Sequence, residues 1–210
     1  EAGLDRSLLS SYGHDDRVCA YAELEALFSL DMPEKTAVCI LADKEEIGSV
    51  GISGMQSHYF EHFMEGLCDA QGVKLSDCFA NSFCLSADVS NAFDPNWPET
   101  CDKRNNSQLN YGVAICKYTG SRGKGGASDA SAEAMGHVRS TLDKAGVIWQ
   151  IATLGKVDQG GGGTVAMYVS QHNIDTVDLG VPVLSMHAPF EVVAKADVYM
   201  TYRAMRAFYK

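Results

Sequence analysis

"TAVCILADKEEIGSVG", residues 36–51, decides how the chain is read. Its first part, Thr36–Ala42, has the length and composition of a buried strand. The apolar run stops at Asp43, and two adjacent glutamates, Glu45 and Glu46, follow before Gly48. A strand that ends this way carries charge to the rim of a sheet. In an open α/β sheet, ligands bind at that rim, outside the carboxyl ends of the strands. Neighbouring side chains diverge there, so the two glutamates can serve two purposes while Gly48 lets the chain turn away.

Working outward, the same pattern recurs. Ser82–Ala87, Val147–Ala152 and Val181–Met186 are further short strand candidates. Helical spacing is found in Asp16–Leu30, Ser57–Ala70, Asp129–Ala145 (after Ser128, stopping at Gly146), Thr164–His172 and Glu191–Tyr209. Strands alternating with helices predict a layered α/β fold on a largely parallel sheet. No internal repeat or linker divides the 210 residues, which suit one domain.

Composition narrows the function. The chain is 46% hydrophobic and 21% charged, as a globular protein is. A net charge of -10 argues against nucleic acid as a partner, because phosphate binding needs a basic face. No apolar run reaches the roughly 18 residues of a membrane span, and no signal peptide opens the chain. Seven irregularly spaced cysteines, with no C-x-x-C, fit neither a disulfide framework nor a zinc ribbon, so reduced thiols in a cytoplasmic protein are expected. The chain starts at Glu1, not Met, and is expected to belong to a longer protein.

Two glycine-rich stretches tempt and fail. "TGSRGKGGAS", 119–128, is no phosphate loop, since Tyr118 stands where the first glycine belongs and Gly125 follows Lys124. "VDQGGGGTVA", 157–166, has Val165 where G-x-G-x-x-G needs glycine. Its run still offers backbone N–H groups, and Gly161 and Gly162 are candidate substrate contacts. His58 and His62 lie four apart as in zinc proteases, but Tyr59 replaces the glutamate that motif needs, so both are assigned to the surface.

The candidate metal ligands all follow apolar runs. Asp43, Glu45 and Glu46 come after the first run, Asp88 after Ser82–Ala87, and His187 after Val181–Met186. Asp15 and Asp16, before the first helix, can join the same rim. Glutamate, aspartate and histidine together suit a borderline metal such as zinc.

These residues resemble a known family. "GHDDRVCA" (13–20), "DKEEIGS" (43–49), "SAD" (86–88) and "LSMHAPFE" (184–191) are similar to segments of the M18 metallo-aminopeptidases, the aspartyl aminopeptidase family. "NAFDPNWPE", "DQGGGGT" and the closing "ADVYMTYRAMRAFY" fit its bacterial branch. The resemblance implies a three-layer α/β/α sandwich of zinc-peptidase type. The 210 residues would be the C-terminal portion of the catalytic domain, without the first strands or the inserted dimerisation domain. It implies an aminopeptidase acting on peptides with two divalent ions: zinc first, with cobalt or manganese also accepted. Asp15 would bridge the ions, Glu46 and His187 would hold one, Asp88 the other, and Glu45 would be the general base. The peptide after Asp15 would be cis. A homo-oligomer is implied, a dimer building a larger, dodecameric shell.

The resemblance has departures. The family uses one more histidine ligand upstream of the bridging aspartate, and His14 is wrongly placed to supply it. Asn91 and Asp94 stand where eukaryotic members carry histidines. Asp94 would repel an acidic substrate side chain, whereas Lys117, near the implied side-chain pocket, would attract one. Two other readings stay open: an amidohydrolase of the same fold, and an incomplete fragment acting only in assembly.

Overall fold

The computed structural model describes all 210 residues, Glu1–Lys210. In chain order they form β1 (Leu8–Ser11), α1 (His14–Phe28), α2 (Tyr59–Gln71), α3 (Leu75–Ala80), β2 (Phe83–Ser86), β3 (Ser90–Asn91), β4 (Val113–Cys116), β5 (Tyr118–Ser121) and β6 (Gly125–Asp129). Then follow α4 (Ala132–Lys144), β7 (Trp149–Ile151), α5 (Ala166–Ser170), β8 (Asp175–Gly180), β9 (Pro182–Leu184), β10 (Glu191–Ala194) and α6 (Lys195–Phe208).

The central sheet has the order β2-β8-β4-β7. Its β2–β8 and β4–β7 junctions are parallel, and β8–β4 is antiparallel. β4 is buried throughout, which is why VAIC is a continuous apolar run rather than an alternating one. β8 alternates. Val177 and Leu179 join Val113 and Ile115 in the main core, where Ala26 of α1, Val138 and Leu142 of α4 and Ala204 of α6 cover them. On the other side, Phe60 and Met64 of α2, Phe79 of α3 and Val169 of α5 form a second cluster that Cys84 packs against. Helices on both faces of the sheet make the expected three layers. A second sheet, β1-β10-β9-β3, joins at the side, and β5 and β6 form a hairpin.

Several expected elements differ. Thr36–Ala42 forms no strand and belongs to neither sheet, because no neighbouring strand offers it a ladder of hydrogen bonds. Val38 and Ala42 still pack against the second cluster, while Leu41 is exposed. Glu191–Tyr209 is not one helix. Glu191–Ala194 pairs with both β1 and β9, and the helix begins at Lys195. The helix expected from Asp129 starts later, because Gly125–Asp129 is a strand and Ser131 is the cap, accepting from Ala134 N–H at 3.0 Å. Its stop holds: Gly146 follows the helix with φ +61°. Val181–Met186 does contain a strand, β9, but it lies in the second sheet. α5 is shorter than Thr164–His172. All seven cysteines are free, and no helix is long and apolar enough to cross a membrane.

Candidate metal centre

Four chain segments bring the acidic residues and His187 together, with Asp88 supplied by the loop between β2 and β3. α1 carries Asp15 and Asp16 in its first turn, joined by a cis peptide as the resemblance implied. Glu45 and Glu46 sit on a short 3-10 turn, Glu45–Ile47, rather than on a strand end. With about three residues per turn, successive side chains there still diverge, by roughly 120°. Gly48 closes the turn at φ +90°, so the expected glycine turn is present. His187 stands beyond β9, in the left-handed region at φ +65°.

The geometry is close. His187 Nε2 lies 3.0 Å from Asp15 Oδ2 and 3.2 Å from Glu46 Oε1. Asp15, Glu46 and His187 offer ligand atoms within 4.8 Å of one another, as do Asp15, Asp16 and Asp88, and Asp16, Glu45 and Glu46. Asp15, Glu45, Glu46, Asp88 and His187 share the lining of one cavity of about 270 Å³. Neither Lys nor Arg lines it. Charge therefore accumulates without compensation. Burial first, then the Asp88 carboxylate, pushes Asp15 up to about 10. Glu45 is raised to about 7, by burial and then by Asp16 and Glu46. Asp88 is raised well above the usual carboxylate range, chiefly by burial and then by Glu45, although Val89 N–H donates to its Oδ1 at 2.7 Å. Carboxylates so crowded call for a cation.

Glu191, which the sequence reading passed over, supports this cluster. It is 2% exposed. Its Oε2 accepts from Asp15 N–H at 3.0 Å and its Oε1 from His187 N–H at 2.8 Å. One buried carboxylate thus ties together the backbones of two candidate ligands. The available signal was its position four residues after His187 in "HAPFE".

Other candidates fall elsewhere. Lys117 is turned outward by the chain's passage into β5 and pairs with Asp129, outside the cavity. Asp94 is likewise not part of the lining; its Oδ1 accepts from Asn96 N–H at 2.8 Å in a local turn. Gly162 lines the cavity but Gly161 does not. Gly161 is glycine for another reason: at φ +95°, a Cβ on it would lie 2.4 Å from Gly120 O of the hairpin. His14 is outside the donor groups, its Nε2 buried without a hydrogen-bond partner. His58 is exposed and pairs with Glu61, as expected of a surface residue.

Comparison with known proteins identifies the family. The family model for aminopeptidase I zinc metalloproteases (M18) matches residues 1–209. A Clostridium acetobutylicum relative, named as an M18 family aminopeptidase 1, is 48% identical over 210 residues, covering 98% of this chain and 45% of its own. A crystal structure of an M18 aminopeptidase from Thermotoga maritima superposes with a TM-score of 0.96 at 45% identity, over 100% of this chain and 48% of that one. The mApe1 dodecamer of S. cerevisiae superposes at 0.78 with 26% identity, over 99% of this chain and 47% of its own. The chain thus spans about half the length of the relatives it matches.

Proposed function

The chain belongs to the M18 family of zinc metalloproteases, and from that premise we propose that it forms part of a metal-dependent aminopeptidase that removes N-terminal residues from peptides. The observation that carries the reading is the mutual approach of Asp15, Glu46 and His187, with Asp88 beside Asp15, in a cavity without a basic side chain. This donor set fits divalent ions, zinc first. Glu46 and His187 would hold one ion, Asp88 a second, and Asp15 both. When bound, such a pair supplies Lewis acidity towards the scissile carbonyl and lowers the pKa of a water molecule towards neutrality.

The chain's own residues would do the rest. Glu45 lines the same cavity, and with Glu46 set against His187 it is the carboxylate we assign to proton transfer. It would take the proton of the attacking water and hand it to the departing amine. The acidic lining would favour the positively charged amino terminus of a peptide, which restricts cleavage to the first residue. A homo-oligomer is part of the proposal, by analogy with the dodecameric yeast relative.

The test is hydrolysis of aminoacyl anilides by the full-length protein, with and without chelator, alongside N-acetylated substrates. Chelator should abolish turnover and acetylation should block it; chelator-insensitive cleavage would sink the reading. Glu45→Gln should lower kcat by about 10²–10⁴-fold, the usual worth of a general base, while bound zinc stays unchanged.

A further inference from the structure

Asp178 has no part in the chemistry above, yet it is 5% exposed in the middle of the central sheet. It points away from the core that Val177 and Leu179 enter. Ser86 of β2 and Cys116 of β4 flank it in register. Its Oδ1 accepts from Thr164 Oγ1 at 2.6 Å. The hydroxyls of Ser86 and Thr119 are buried without a hydrogen bond of ordinary geometry, though both still help to offset the burial that pushes Asp178 up to about 6. No Lys or Arg pairs with it, and a buried carboxylate without a cation is costly.

Thr164 ends the glycine run, and Gly162, Gly163 and Thr164 all line the candidate metal cavity. The run is held on one side by backbone alone. Gly160 O accepts from Arg122 N–H of the hairpin at 2.8 Å, and a Cβ on Gly163 would lie 2.7 Å from Gly126 O. At its end the run is held by one side-chain bond, Thr164 to Asp178. We infer that Asp178 is a positioning residue: through Thr164 it fixes the Gly162–Gly163 wall of the cavity, and so governs substrate binding rather than metal binding. A carboxylate suits that task, since a hydroxyl donating to a charged acceptor makes a shorter and stronger bond than one donating to a neutral acceptor. The inference rests on the aminopeptidase reading for its kinetic consequence, but not for its structural one.

Three variants test it: Thr164→Val, which removes the donor at nearly constant volume, Thr164→Ser, which keeps it, and Asp178→Asn. Hydrogen exchange of the 210-residue chain decides the structural part. Loss of a charge-assisted bond should speed exchange over residues 162–167 by about tenfold in Thr164→Val, with recovery in Thr164→Ser and no change at Val177 and Leu179. On a peptide with a free amino terminus, KM should rise by about tenfold with kcat within about threefold, the mark of lost uniform binding, at unchanged zinc content. Wild-type exchange in Thr164→Val would overturn the proposal. So would zinc loss in that variant, or additive effects when Asp178→Asn is combined with Thr164→Val. A full-length wild-type protein that cleaves no peptide would remove the aminopeptidase reading and leave the exchange result to decide the role of Asp178.

Discussion

Glu191 spends both carboxylate oxygens on backbone N–H groups, those of Asp15 and His187. Glutamine cannot reproduce this: one acceptor remains, and an NH₂ group is set against an N–H donor. Outer partners of metal ligands typically change affinity by 10–100-fold, so Glu191→Gln should weaken zinc binding by about that factor. Competition against a chromophoric chelator measures it, and unchanged affinity would refute the clamp. At this scale the candidate ligands were legible, because charge placed directly after an apolar run is a chemical anomaly. Glu191 was not, since a glutamate at the head of an amphipathic stretch looks like the start of a helix. The placing of Lys117 beside Asp129 and of Asp94 in a local turn was not legible, because it depends on a hairpin and a turn that no spacing in the chain announces.

The elements were harder to read than the residues. β8 carries two aspartates and was not among the strand candidates, although its Val-Asp-Leu alternation is a strand signature. Thr36–Ala42 has strand composition, but composition cannot supply a hydrogen-bonding neighbour. That segment has its own consequence where it meets α1. Glu23 of α1 faces Cys39, whose Sγ lies 3.7 Å from Glu23 Oε2, with Cys84 of β2 and Tyr209 beyond α6 also near. Burial raises Glu23 from an ordinary value of 4.5 to about 7. The folded state therefore holds a proton that the unfolded chain releases between those values. Stability from this group is complete below about pH 4.5 and is lost as pH rises through about 7. At roughly 1.4 kcal/mol per pH unit of displacement, the loss is on the order of 3–4 kcal/mol. Glu23→Gln should remove that slope, so urea midpoints of variant and wild type should be closer at pH 5 than at pH 8, with the variant the more stable at pH 8. Parallel curves would show that Glu23 titrates normally.

For the whole molecule, the net charge of -10 and the basic-free cavity act together. The expectation against a nucleic-acid partner and the proposed preference for a cationic ligand rest on the same imbalance, which is visible in the composition. How two sheets converge on one cavity was not legible, because it depends on contacts between residues far apart in the chain. Metal should stabilise the fold measurably. At a free ion concentration 100 times Kd, binding to the native state alone adds about 2.7 kcal/mol. Protons compete for the same carboxylates, so the zinc-induced rise in Tm should be larger at pH 7.5 than at pH 5.5. Thermal scans with zinc and with chelator check this, and equal shifts at the two pH values would count against ligation by these carboxylates.

The two faces of β8 have a consequence for how the sheet assembles. Val177 and Leu179 belong to the oily interior, and Asp178 forms a polar floor beneath Thr164, which lines the cavity. A slip of one residue against β2 would exchange the faces, driving Asp178 into hydrocarbon and leaving two aliphatic side chains beside Thr164. The polar floor therefore serves as a registration mark. A chain that zips this sheet out of step has no bonding partner for Asp178 and must let go and try again.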